Sequence, residues 1–173
     1  MKIKVKGKKF TFVYPDFEYS ITKKGLKPEP GGWYHEGIAQ LAAIIEKKGW
    51  KVSLIHLTKP LKYNEYKKLL DKHNPDILGF SIRTGVREYG KKLIKWTDKY
   101  NSRIFKLVGS YHSTLWPEEV IEWQGLDAIC IGEAENPIIK FLDAVNKGKS
   151  ILKTGSFWIK DKKGKFTKTR LNV

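Results

Sequence analysis

The chain has 173 residues, a single cysteine and a formal net charge of +16, from 34 lysines and arginines against 18 aspartates and glutamates. That length suits one domain with a real core, the lone Cys130 rules out an internal disulfide or a cysteine metal site, and no run approaches the roughly 18 apolar residues of a membrane span. A soluble, cytoplasmic protein is therefore expected, and the lysine excess, spread along the whole chain with arginine only at Arg83, Arg87, Arg103 and Arg170, reads as a solvated surface like that of heat-adapted proteins rather than as a nucleic-acid footprint.

Apolar runs of about five residues alternate with segments of helical period, the pattern of repeated strand-helix units and a mainly parallel sheet. The first strand, 10–14, is stopped by Pro15, which has no amide hydrogen to continue a ladder. A loop of unusual length, 16–32, follows with Pro28, Pro30, Gly31 and Gly32; at that length in a compact domain it is expected to be functional. The first helix is expected over 33–48, with Ile38, Leu41, Ala42 and Ile45 on one face and Gly49 as its stop.

The second strand covers 52–57, and the second helix 64–73, opened by Asn64 as a cap and closed before Pro75. The almost wholly apolar third strand, 77–82, suits a position covered on both faces. Helix three, 87–100, leads to strand four, 104–108; Pro117-Glu118-Glu119 starts helix four, because proline suits a first helical turn and carboxylates suit its positive end. Strand five is 128–131, where Cys130 reads as a small buried hydrophobe, and helix five 136–146 carries Ile138, Ile139, Leu142 and Val145 inward. The tail, with strands at 155–159 and 165–169, reads as a β-hairpin. The expected fold class is α/β: a doubly wound, five-stranded, mainly parallel sheet with a C-terminal β-hairpin, divided into a sheet domain over 1–150 and a hairpin extension over 151–173.

Ligands of open parallel sheets bind beyond the carboxyl ends of the strands, where strand order reverses. That rule selects the loops at 14–33, 81–85, 109–115 and 132–135. They hold Tyr14 and Pro15; Ser81, Arg83 and Thr84; Gly109, Ser110, Tyr111, His112, Ser113 and Thr114; and Gly132, Glu133 and Glu135. Glycines and small polar side chains let a bulky ligand approach the backbone and collect hydrogen bonds. Each has a plainer reading too: turn residues at Gly109 and Ser110, a backbone-bonded helix-entry residue at His112, a solvated pair at Glu133 and Glu135, core or lid aromatics at Trp33, Tyr34 and Tyr111. Their convergence on one edge makes them candidate cofactor-binding residues. No catalytic residue and no metal ligand is assigned.

Val13-Tyr14-Pro15, Gly37 to Ala43, Lys48-Gly49-Trp50-Lys51-Val52, Pro75-Asp76-Ile77-Leu78-Gly79-Phe80-Ser81, Val108-Gly109-Ser110-Tyr111-His112-Ser113-Thr114 with Pro117-Glu118-Glu119-Val120, and Ile131-Gly132-Glu133-Ala134-Glu135, in that order over about residues 10–147, resemble the amino-terminal cobalamin-binding domain of cobalamin-dependent radical S-adenosylmethionine enzymes. The resemblance implies a flavodoxin-like (Rossmann-like) fold with strand order 2-1-3-4-5 and a corrinoid held over the strand ends, its nucleotide tail in a slot lined by Ser81 and the loop from Gly109 to Thr114, with Gly132, Glu133 and Glu135 flanking the ring or its amide side chains. It further implies a downstream domain carrying S-adenosylmethionine and an iron-sulfur cluster, used for methyl transfer or radical rearrangement. The chain itself has no three-cysteine cluster motif and is not expected to be catalytic alone.

Besides the missing cysteine motif, one further departure stands out: the family's usual Gly-Gly-x-His is here Gly109-Ser110-Tyr111-His112, where Ser110 narrows the slot. The Asp-x-His-x-x-Gly motif of methionine synthase and corrinoid methyltransferase carriers is also missing, since His35-Glu36-Gly37 does not have that spacing, so no histidine ligand to cobalt is expected. A regulatory or nucleotide-binding module and a nucleic-acid-binding basic domain stand as alternatives. Against the former, Gly132-Glu133 follows the fifth strand where a receiver domain needs lysine, and Gly31-Gly32 lacks the lysine and hydroxyl of a phosphate loop.

Overall fold

The computed structural model describes residues 1–32, 35–152, 154–161 and 163–169. In chain order these form β1 (Lys9–Pro15), β2 (Phe17–Thr22), β3 (Gly25–Pro30), α1 (Glu36–Lys47), β4 (Lys51–Leu57), α2 (Tyr63–His73), β5 (Ile77–Ser81), a 3-10 turn (Thr84–Val86), α3 (Arg87–Tyr100), β6 (Phe105–Gly109), α4 (Tyr111–Leu115), α5 (Pro117–Ile121), β7 (Ala128–Cys130), α6 (Glu135–Asn146), β8 (Phe157–Lys160) and β9 (Phe166–Lys168). The main sheet runs β4-β1-β5-β6-β7-β8-β9. Its first five strands are parallel, in the expected order 2-1-3-4-5. The C-terminal hairpin extends this sheet: β8 pairs antiparallel with β7 and β9 with β8, which brings it to seven strands.

Side chains of a strand alternate between faces, and here the alternation sorts the core in two. Phe10, Phe12, Phe105, Leu107, Cys130 and Phe157 pack with Ile38 and Ile45 of α1 and Ile138, Phe141, Leu142 and Val145 of α6. Val13, Leu78, Phe80, Val108, Ile129 and Trp158 point the other way, to Tyr66 and Leu70 of α2, Leu93 and Ile94 of α3, and Val120 of α5. Burying each such side chain is worth about 1.5–3 kcal/mol, so the fully buried Ile45, Leu70 and Phe141 anchor their helices far more strongly than helix propensity does. On the second face Lys106, only 1% exposed, is satisfied by Asp127 at 2.9 Å, Asp98 at 3.3 Å and the carbonyl of Ile104.

Three local readings change. Asn64 lies in the first turn of α2, whose cap is Lys62; its amide is bonded by the Glu65 carboxylate at 2.7 Å. Residues 16–32 contain a hairpin rather than an unstructured loop, with Pro28 and Pro30 opposite Tyr19 and Phe17 on a two-stranded sheet, which tolerates proline because its outer edge needs no amide hydrogen. The segment after Ser110 forms the one-turn helix α4. The expected start of the first helix at Trp33 and Tyr34 lies outside the described residues; α1 is helical from Glu36, capped by His35.

Candidate functional site: a cleft at the carboxyl edge of the sheet

On the face covered by α1 and α6, the strand ends lose their side chains. Phe12 pairs with Gly79, Gly79 with Leu107, and Ser81 with Gly109, and by the two-residue repeat Gly79, Ser81 and Gly109 all present this same face. Next to them stands Cys130, one residue beyond the Val108–Ile129 pair. Four small residues thus replace the phenyl and branched side chains that fill this layer lower down, and a cleft of ≈ 380 Å³ opens between the sheet, α1 and α6. Gly79 does not simply leave space: a Cβ there would sit 2.7 and 2.9 Å from the Phe10 ring, so the floor depends on glycine for its packing. A Cβ on Gly109 or Gly132 would meet nothing within 4 Å; at both, backbone is open to the cleft.

The cleft's floor is apolar, with Phe10, Phe12, Ile38, Leu107, Ile138 and Phe157, and its polar groups gather at the mouth. Of the residues singled out from the sequence, Ser81, Gly109, Ser110, Tyr111, Thr114, Gly132, Glu133 and Glu135 line it. Tyr111 and Leu115, one helical turn apart on α4, are largely exposed at its rim. Thr114 ties two rim loops together: its hydroxyl accepts the Gly132 amide at 3.0 Å and donates to the Ser110 carbonyl at 3.2 Å. Ser110 holds φ +84° and ψ −173°, a backbone region that belongs almost solely to glycine.

The remaining candidates sit behind the cleft wall. Ser113 spends its hydroxyl on the carbonyls of Ser110 and Cys130. His112 is turned to the opposite face, its ring against Trp123, with Nδ1 3.3 Å from the Thr84 hydroxyl and Nε2 3.4 Å from Glu119; burial lowers its pKa against the pull of Glu119. Arg83 bonds Glu18 at 3.0 Å and approaches the buried Asp16 at 3.8 Å. Asp16 also accepts from the Tyr14 hydroxyl at 3.2 Å and the Gly32 amide at 3.1 Å, and lies 2.9 Å from His56 Nε2. Burial and the Asp16 charge both raise the Tyr14 pKa. Tyr14, Arg83 and Asp16 thereby hold the β2–β3 hairpin against the sheet, and Pro15 ends β1 beside Leu57.

One polar group at the cleft escaped the reading of the sequence. His35 caps α1, its Nδ1 accepting the Ile38 amide at 3.2 Å, and its Nε2 lies 2.8 Å from Ser81 Oγ. Burial lowers its pKa. Its signal was positional: a helix that follows a strand of a parallel sheet starts at the carboxyl edge, so the cap of the first helix faces the site.

The sequence profile of a family described as B12 binding domain matches residues 30–142. An uncharacterized methyltransferase of Pyrococcus horikoshii is 27% identical over 116 residues, 66% of this chain and 25% of that protein. Among solved structures, the radical S-adenosylmethionine methyltransferase TsrM from Kitasatospora setae, with tryptophan substrate and a S-adenosylmethionine analogue bound, superposes with a TM-score of 0.75 at 12% identity, over 95% of this chain and 30% of its own. The cobalamin-dependent S-adenosylmethionine radical enzyme OxsB, with aqua-cobalamin and S-adenosylmethionine bound, does so with 0.72 at 19% identity, over 96% and 22%. At these identities the superpositions establish the fold, and the chain spans about a quarter of the length of its curated relative.

Proposed function

Because the chain belongs to the B12 binding domain family, we propose that it binds cobalamin at the carboxyl edge of its sheet and serves as the cobalamin-holding part of a radical S-adenosylmethionine enzyme, without catalysis on its own. The observation that carries this reading is the cleft between the sheet, α1 and α6, apolar in its depth and open to backbone at Gly109 and Gly132. A volume of ≈ 380 Å³ falls in the range of small-molecule pockets, about 300–1,000 Å³. It suits the flat lower base and sugar of the nucleotide tail, while the macrocycle stays over the strand ends.

In this assignment Ser81, Gly109, Ser110, Tyr111 and Thr114 hold the tail, and Gly132, Glu133 and Glu135 meet the ring edge, where carboxylates accept hydrogen bonds from corrin amides. Tyr14, Pro15, Arg83, Thr84, His112 and Ser113 support the edge from behind. Bound cobalamin supplies a cobalt centre for methyl transfer or radical rearrangement. S-adenosylmethionine and the iron-sulfur cluster belong to a partner domain, since Cys130 alone cannot hold a cluster; it is also buried, its thiol pushed up to about 12 by burial. No helix among the described residues is long and apolar enough to cross a membrane, and a cytoplasmic location fits this role.

Mixing the protein with hydroxocobalamin and separating it by gel filtration tests the proposal. The red chromophore is expected to co-elute with the protein; colourless protein and free pigment at tens of micromolar would overturn it.

A further inference from the structure

Resting on the reading that the cleft takes the nucleotide tail, the bonding around His35 says which tail. A neutral imidazole has one donor nitrogen and one acceptor. Because His35 Nδ1 accepts the Ile38 amide at the start of α1, its proton must sit on Nε2, which faces Ser81 Oγ at 2.8 Å. The ring cannot turn to reverse these roles without uncapping the helix, and the edge of the Tyr14 ring, 4.8 Å away, packs against it. Ser81 therefore receives a hydrogen bond from His35, and its own proton is left to point elsewhere.

Ser81 is 8% exposed and lines a cleft whose deeper walls are Phe10, Phe12, Ile38 and Leu107. Once a ligand fills that cleft, a hydroxyl proton there must find an acceptor on the ligand or go unpaired, and an unpaired buried donor is costly. We propose that His35 is a positioning residue that makes Ser81 an obligate hydrogen-bond donor, so that the cleft selects corrinoids whose lower base presents a ring-nitrogen acceptor over those whose lower base has none. The selectivity resides in the pair: Ser81 touches the base, and His35 sets the direction of its hydroxyl.

The test compares two ligands, cobalamin with its benzimidazole base and a cobamide with a phenolic base, both as dicyano forms so that neither base is bound to cobalt before binding, titrated by quenching of tryptophan fluorescence. The protein as it stands is expected to favour cobalamin by on the order of tenfold, the size of one buried hydrogen bond made against one left unmade. His35→Asn keeps a side chain well suited to capping α1, but its shorter amide ends before the position from which the imidazole Nε2 reaches Ser81. Cobalamin binding should then weaken several-fold while binding of the phenolic cobamide does not, so the preference collapses. A loss of folding or of cleft shape would instead weaken both ligands together. Ser81→Ala should erase the preference as well, and the double variant should add nothing to either single one.

Equal affinities in the unaltered protein, or a preference that survives His35→Asn but not Ser81→Ala, would overturn the inference while leaving cobalamin binding intact. Absence of binding by both ligands would instead strike the proposed function beneath it.

Discussion

Replacing Ser110 by glycine should make this protein more stable, although the residue lines its candidate binding cleft. Ser110 stands at φ +84° and ψ −173°, where a residue with a Cβ pays about 1–3 kcal/mol. Its hydroxyl caps nothing at the start of α4; only its carbonyl is engaged, by Ser113 and Thr114. Glycine relieves the strain and keeps those bonds, but enlarges the freedom of the unfolded chain by about 0.4–1 kcal/mol. The net gain is about 1 kcal/mol, which for a domain of this size raises Tm by about 2–4 °C. In urea, the midpoint should rise with an unchanged slope. Ser110→Ala is the control: it retains the Cβ and so the strain, and should gain nothing. A midpoint that falls with glycine, or that rises equally with alanine, would refute the argument from backbone strain.

Gly79→Ala should destabilise by about 1–3 kcal/mol, since the new methyl would lie 2.7 Å from the Phe10 ring in a packed layer; equilibrium denaturation reads it. Gly109→Val should leave Tm within a few degrees, its Cβ meeting nothing within 4 Å, yet fill the cleft and weaken cobalamin binding at least about tenfold by the same titration. The pH dependence of stability follows from His35, His73 and His112, all held below the ordinary 6.5, in each case first by burial. The unfolded chain takes up their protons first, so this contribution is complete above pH 6.5 and is lost as pH falls through the lowered folded values. Denaturation midpoints should therefore decline from pH 7 toward 5, and His112→Phe should reduce the slope by up to about 1.4 kcal/mol per pH unit, the value for one proton.

Much of the fold was legible because its cues are local. The apolar run at β5, the prolines at 15, 75 and 117 and the positive-φ Gly49 and Gly148 mark boundaries that depend on near neighbours, whereas the strand order came from the family resemblance and not from the repeating unit. The β2–β3 hairpin was not legible: Phe17 at its base is buried in the core, but Ile21 and Leu26 near its turn are 89% and 68% exposed, so most of its length has no core to register against. α4 was missed because a single turn is too short for periodicity to speak. The candidate edge residues divided in the same way. The edge rule located their loops, but which side of the wall each side chain took depended on strand parity and helix phase. Thus Ser81 and Gly109 open to the cleft, whereas His112 turns to Trp123.

By itself the amino-acid order determined a parallel sheet with loops of small and polar residues gathered on one rim, since strand and helix periods and turn chemistry act over a few neighbours. Only the tertiary structure decided that Gly79, Ser81, Gly109 and Cys130 lie side by side beneath α1 and α6, and that an imidazole 46 residues before Ser81 in the chain sets its hydrogen bond. Those juxtapositions come from pairing between strands, and the pairing energy is collected only when distant segments are already packed together.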